Sequence, residues 1–143
     1  MATRALIAYK DNSKYKTIYV HNDGNLYHTG KILYDCYNTE EMAAKLVGLG
    51  DLSYVGRKLE PTAIGHSFDN PEKDTTIAYH RDRGEEFNQA SLTLEELREW
   101  AHDAYIDTVY VWIYNEWHVL ENGSFTKLIL LLWHNLVDLI WIM

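Results

Sequence analysis

From Thr108 to Tyr114 the chain alternates Val109, Val111 and Ile113 with Tyr110, Trp112 and Tyr114. Trp117 to Leu120 resumes the alternation after Asn115-Glu116. A period of two places one aliphatic and one aromatic row on opposite sides of a strand, and a two-residue turn at Asn115-Glu116 closes a hairpin. The aromatic row either stacks on a base or a partner side chain, or covers a second layer of core. Whatever else folds must pack against this hairpin.

The remaining local signals fit a sheet with helices. Thr93 and Glu96 form a capping box, with Leu92 and Leu97 as its hydrophobic staple, ahead of a helix reaching Ala104. Ala5 to Tyr9 and Thr17 to His21 read as an opening hairpin around Asp11-Asn12-Ser13. A helix is expected over about 27–37. A second begins at Asn38 or Thr39, with Asn38 and Glu41 as cap and third-position carboxylate, and ends at Gly48 or Gly50. Residues 51–65 read as a loop and Thr75 to His80 as a strand. The order predicts an α+β fold: a mainly antiparallel sheet with helices packed on one face, in a compact domain over 1–122. A chain of 143 residues suits one such domain.

The C-terminal segment, 123–143, predicts a hydrophobic helix. On a helical wheel Ser124, Lys127, His134, Asn135 and Asp138 share an arc of roughly 100°, and more than half the circumference is apolar. Burying about six large side chains at roughly 1.5–3 kcal/mol each is a strong drive toward a partner. Packing on the chain's own domain and membrane contact are the alternatives. A membrane span needs about 20 apolar residues, and His134, Asn135 and Asp138 interrupt this run. The helix is therefore expected to make a homo-oligomer through Leu128, Leu132, Trp133, Leu136, Leu139 and Ile140.

Charge excludes one function class. Thirteen Lys and Arg against twenty-one Asp and Glu give −8, which argues against direct binding of nucleic acid through a basic face. The single cysteine, Cys36, rules out an internal disulfide and fits a reducing, cytoplasmic location, as does an N-terminus without a secretory pattern.

No motif declares a reaction. Gly24 to Ile32 resembles a P-loop, but five residues separate its glycines and Ile32 stands where Ser or Thr is needed. Thr29, Gly30 and Lys31 either meet an anion or form a plain turn with a solvated lysine. His21/Asp23, His66/Asp69 and His80/Asp82 have the chemistry for acid–base work or metal binding, but no metal-site spacing. No serine sits in a nucleophile elbow, and Cys36 falls on an apolar helix face. No catalytic residue, metal or cofactor is assigned. Arg81 and Arg83, two apart in an expected extended segment, either fork onto a phosphate or pair with Asp82, Glu85 and Glu86.

Several stretches taken together resemble a family of small, mostly uncharacterised phage and prophage proteins. They are Met1-Ala2-Thr3-Arg4, His21-Asn22-Asp23-Gly24, Gly30-Lys31-Ile32-Leu33 with Tyr37-Asn38, and Leu49-Gly50-Asp51-Leu52-Ser53. His66-Ser67-Phe68-Asp69, Ala78-Tyr79 and Arg81-Asp82-Arg83-Gly84-Glu85 complete the set, ahead of a Leu-Glu-Glu-Leu helix and a Tyr/Trp hairpin. Asn22 and Asn25 stand where the family pattern carries aromatic residues, and the tail after Gly123 extends beyond the shared core. The resemblance implies a phage origin and an accessory role without an established reaction; small acidic phage proteins of this size are, as a class, expected to counteract host defence in the cytoplasm of an infected bacterium. On that basis the leading expectation is sequestration of a small phosphorylated immune signal by Arg4, His21, Asp23, Lys31, His66, Asp69, Arg81, Arg83 and Glu85. Direct inhibition of a host defence protein such as a CRISPR nuclease is the alternative, and a metal-dependent hydrolase the second.

Overall fold

The structure, a computed structural model, describes residues 2–134. Strands β1 (Ala5–Asp11) and β2 (Lys14–Val20) pair across a tight turn in which Asn12 takes φ 58°. A π-helical turn (Leu26–Gly30) runs into α1 (Lys31–Cys36), followed by α2 (Glu40–Val47) and β3 (Leu52–Tyr54). After a long excursion come β4 (Ile77–Ala78), α3 (Tyr79–Arg83), β5 (Ala90–Leu92) and α4 (Leu94–Asp103). The chain continues through β6 (Thr108–Ile113), β7 (Glu116–Glu121) and β8 (Ser124–Lys127) into α5 (128–134).

The strands form one mainly antiparallel sheet, ordered β4-β3-β2-β1-β6-β7-β8, with β5 also on β2. Its exceptions are the parallel pairs β1–β6 and β2–β3. Ala5, Leu6, Ile7 and Ala8 are all fully buried, so β1 is apolar toward both faces. This overturns the expectation of helices on one face. Ile7, Ile18, Tyr110 and Trp112 lie under α1 and α2, whereas Leu6, Ala8, Val109 and Val111 lie under Leu97 of α4. A central strand with no polar side must be covered twice.

Of the aromatic row, Tyr110 and Trp112 within β6 are core, whereas Tyr114, in the turn, is 76% exposed. Tyr110 is fully buried and its hydroxyl donates to Gly24 O at 2.7 Å. Trp117 Nε1 donates to Tyr37 O at 3.0 Å, and Tyr37 in turn donates to Gly56 O at 2.7 Å. Burial pushes the Tyr37 hydroxyl up to about 12. Tyr110, Trp117 and Tyr37 thus each have their polar atom satisfied by a backbone carbonyl.

Other expectations shift by local chemistry. The capping box at Thr93 and Glu96 is present, and Thr39, not Asn38, caps α2. The β6–β7 turn falls on Tyr114-Asn115, both at positive φ, one residue earlier than expected. Asn122 (φ 50°) and Gly123 (φ 81°) form a further hairpin turn, so residues 124–127 form β8 and the helix begins at 128. Asn-Gly is the strongest short hairpin signal and prevails over the apolar periodicity after it. The sheet therefore runs past the boundary expected at 122. Leu128 is buried in the core and Leu132 packs against it, Trp133 is exposed, and Leu136, Leu139 and Ile140 lie outside the described residues.

Tyr110→Phe removes the donor to Gly24 O and leaves a buried carbonyl unpaired. The expected loss is about 1–3 kcal/mol in urea unfolding. A variant as stable as the parent would show that this hydrogen bond contributes nothing net.

Candidate functional site

β5 pairs with β2 only as far as Thr17, and β3 takes over at Val20. Tyr19 N–H faces the gap between them, and Asp51 Oδ1 accepts from it at 2.9 Å. The same residue accepts from Tyr79 N through its carbonyl and donates its N–H to Asn88 O. Asp51 therefore ties β2, α3 and the approach to β5 together. Burial raises its carboxyl above the ordinary value, and the Tyr19 N–H offsets part of that rise.

Residues 55–88 leave the sheet and return to it. Only β4 and the short α3 are regular in this span, and polar pairing organises it. Glu72 accepts from Thr62 N, Ala63 N, Thr62 Oγ1 and Thr75 Oγ1, and pairs with Lys58 Nζ at 2.6 Å. These bonds, Lys58 foremost, hold its carboxyl well below the usual range.

Asp82, 4% exposed, forms the second knot. It accepts from Ala78 N at 2.8 Å and from Arg81 Nε at 2.8 Å. The remaining Arg81 nitrogens donate to Leu59 O and Thr76 O, both at 2.7 Å. His66 Nδ1 accepts from Glu72 N at 3.0 Å, which places the ring proton on Nε2. That Nε2 lies 3.2 Å from Asp82 Oδ1, too far off line for a well-formed hydrogen bond. Burial alone would raise the Asp82 carboxyl; Arg81, Ala78 N–H and His66 outweigh it and lower the value.

Arg83 lies over the Phe68 ring at 4.0 Å and the Tyr79 ring at 5.2 Å while pairing with Glu85. Ser53 Oγ accepts from Asn22 Nδ2 at 3.1 Å. Beside these lies a cleft of about 450 Å³, lined among others by Asn22, Asp23, Ser53, Glu72, Lys73, Asp74 and Ile77. A second cleft, about 540 Å³, runs between α4 and the β7–β8 turn, with Glu95, Glu99 and Asp103 on its wall beside Arg98 and His102. Ala101, Val109 and Leu120 supply its apolar lining.

The residues expected at a ligand site scatter within the chain. Arg4 donates to Ala104 O beside the α4–β6 turn. Lys31 pairs with Asp35 at the start of α1. Arg81 and Arg83 occupy a helical turn, not an extended strand, so their side chains do not share a strand face. Glu85 holds Arg83, Asp69 is exposed, and His21 Nδ1 bonds Tyr19 OH at 2.8 Å. Of the nine, only Asp23 lines the cleft.

His66 and Asp82 do meet, although they come from two different sequence pairs. Both His66 nitrogens face the protein, so the ring has no free position for a base. His80 Nδ1 is likewise bonded, to Glu85 O. Among the described residues no three His, Cys, Asp or Glu side chains are grouped to hold a metal ion. Sequence reasoning missed Asp51, Ser53 and Glu72. The first two had a signal in Leu49-Gly50-Asp51-Leu52-Ser53, and Glu72 had none. Comparison of the chain with family models, characterised proteins and solved structures yields no match.

Two predictions follow from the carboxylates. Because Asp82 and Glu72 are lowered on folding, they stabilise the 55–88 span above the ordinary carboxylate range near 4, and that stability falls away as pH drops through their folded values. Asp82→Asn breaks the Arg81 pairing, at a cost on the order of 3 kcal/mol. It should speed exchange of Ala78 N–H at pH 7; unchanged protection would sink this account. Asp51 has the opposite sign. Asp51→Asn keeps an acceptor for Tyr19 N–H and removes a charge that burial disfavours. The melting temperature at pH 7 should be equal or higher, with any gain shrinking as pH falls toward the carboxylate range. A clear loss of stability at pH 7 would refute it.

Proposed function

We propose that this chain is a non-catalytic binding protein that acts by docking on a cationic surface of another protein. The observation that carries the reading is the charge of its clefts. One is lined by Asp23, Glu72 and Asp74 against Lys73, the other by Glu95, Glu99 and Asp103 against Arg98 and His102. Arg4, Lys31, Arg81 and Arg83, the cations that a phosphate site would use, all have partners inside the chain. With a net charge of −8, encounter with a basic partner is accelerated and sensitive to salt.

Joined to the resemblance to small phage proteins, the reading becomes a phage-encoded inhibitor of a host defence effector, its acidic clefts meeting a groove built for nucleic acid. Sequestration of a small phosphorylated signal is supported less well, because the expected cations do not line one cleft.

The test is native mass spectrometry of the chain purified from cells with an active defence pathway. A stoichiometric complex with a defence protein is expected, dissociating between about 50 mM and about 500 mM salt. It should persist in Arg83→Ala and be lost in a Glu95→Lys/Glu99→Lys variant. Retention of a small phosphorylated mass in place of a protein would overturn the proposal in favour of sequestration.

A further inference from the structure

The two faces of the sheet are covered unequally. α1, α2 and α5 pack on one, and α4 packs on the other. α4 sits toward β2 and β5, so β7 and β8 at the far side of the sheet extend past it. Leu120 and Phe125, cross-strand partners on that second face, are only partly buried. Beside them lies the cleft of about 540 Å³, floored by Ala101, Val109 and Leu120. The Arg98 guanidinium rests on the β7–β8 turn, where a Cβ on Gly123 would lie 3.1 Å from Nη2.

Glu95, Glu99 and Asp103 stand four apart along α4 and form one row of carboxylates over about 12 Å. Like charges at that spacing repel, so the row works against the helix that carries it. The helix dipole favours Glu95 in the first turn but disfavours Asp103 in the last. Asp103 has His102 beside it at 3.3 Å. Glu95 and Glu99 have no hydrogen bond or ion pair among the described residues.

We infer that this groove takes a basic amphipathic helix of the protein partner, laid along α4 on the second face of the sheet. The inference rests on the docking reading and adds which cleft is used and what fills it. Helices are what cover a sheet face in layered folds, and one beside α4 completes the layer over Leu120 and Phe125. Lys or Arg at i, i+4 and i+8 of that helix repeat at the same rise as the carboxylate row, so each meets a carboxylate in turn. Apolar side chains of the adjoining stripe enter the cleft toward Val109 and Leu120. Three carboxylates against one arginine on the rim disfavour an acidic helix, and equally a second copy of this chain. The other cleft has no such repeat: its carboxylates come from loops, and Glu72 there is already bonded within the chain.

Fluorescence anisotropy and circular dichroism with a synthetic peptide of about 15 residues test it. The peptide carries Lys at i, i+4 and i+8 with Leu on the adjoining stripe, and a scrambled form keeps its composition without that register. The full chain should bind the ordered peptide about tenfold more tightly than the scrambled one, with a gain of helical signal. Glu99→Lys should weaken binding about tenfold. Glu86→Lys, the same charge change at an exposed residue that lines neither cleft, should alter it by less than about threefold. Equal binding of the two peptides overturns the inference, as do equal effects of the two substitutions. Binding without helix formation also overturns it and gives the groove to an extended segment. A complex with a defence protein that the ordered peptide fails to displace overturns the inference and leaves the docking reading standing. Absence of any protein complex while the ordered peptide still binds refutes the docking reading alone, and the preference of the groove for a basic helix then stands.

Discussion

The burial of β1 on both faces is the constraint on which the other elements depend. Ala5 to Ala8 presents no polar side chain in either direction, and a strand of that kind is stable only between two covered surfaces. Its antiparallel partner β2 arrives by a tight turn, while its parallel partner β6 arrives about a hundred residues later. The intervening chain must supply cover for both faces before β6 can close the centre of the sheet. α1 and α2 cover one face and α4 the other.

The excursion over 55–88 follows a different physical rule. Among the described residues it contributes few fully buried apolar side chains, chiefly Val55 and Ala78, so its order comes from ionic and backbone hydrogen bonds concentrated on Glu72 and Asp82. His66 bridges the two knots, accepting from Glu72 N and facing Asp82. A segment ordered in this way is rigid where its carboxylates are ionised and satisfied. Such networks are costly when only partly satisfied, because each unpaired group then carries its own desolvation.

Charge use also divides the molecule. The arginines most exposed to suspicion as ligand groups serve as internal braces: Arg81 joins three backbone or side-chain segments, and Arg83 caps an aromatic stack. Glu95, Glu99 and Asp103 of α4, by contrast, lie on a cleft wall. The surface left for recognition is thus acidic, and the uncharged side of α5 stands apart from it.

Elements whose signals are local were legible in the sequence. The Thr93 and Glu96 capping box, the alternation of β6 and β7, and the opening hairpin each depend on residues a few positions apart, and each is present, with the β6–β7 turn one residue early and the opening strands longer than expected. The Asn122-Gly123 turn was equally local, but the apolar run behind it masked the short strand it creates. What the sequence could not determine is which distant groups meet. Three His/Asp pairs were visible by spacing, yet the contact that forms joins His66 to Asp82, because α3 turns where an extended strand was expected. The burial of the β6 aromatic row was likewise left open, since the same alternation serves a recognition face or a core layer. Only the packing of α1 and α2 over Tyr110 and Trp112 decided it. Local hydrogen bonding and periodicity belong to neighbouring residues, whereas the pairing of charges and the covering of faces follow from how the chain crosses itself.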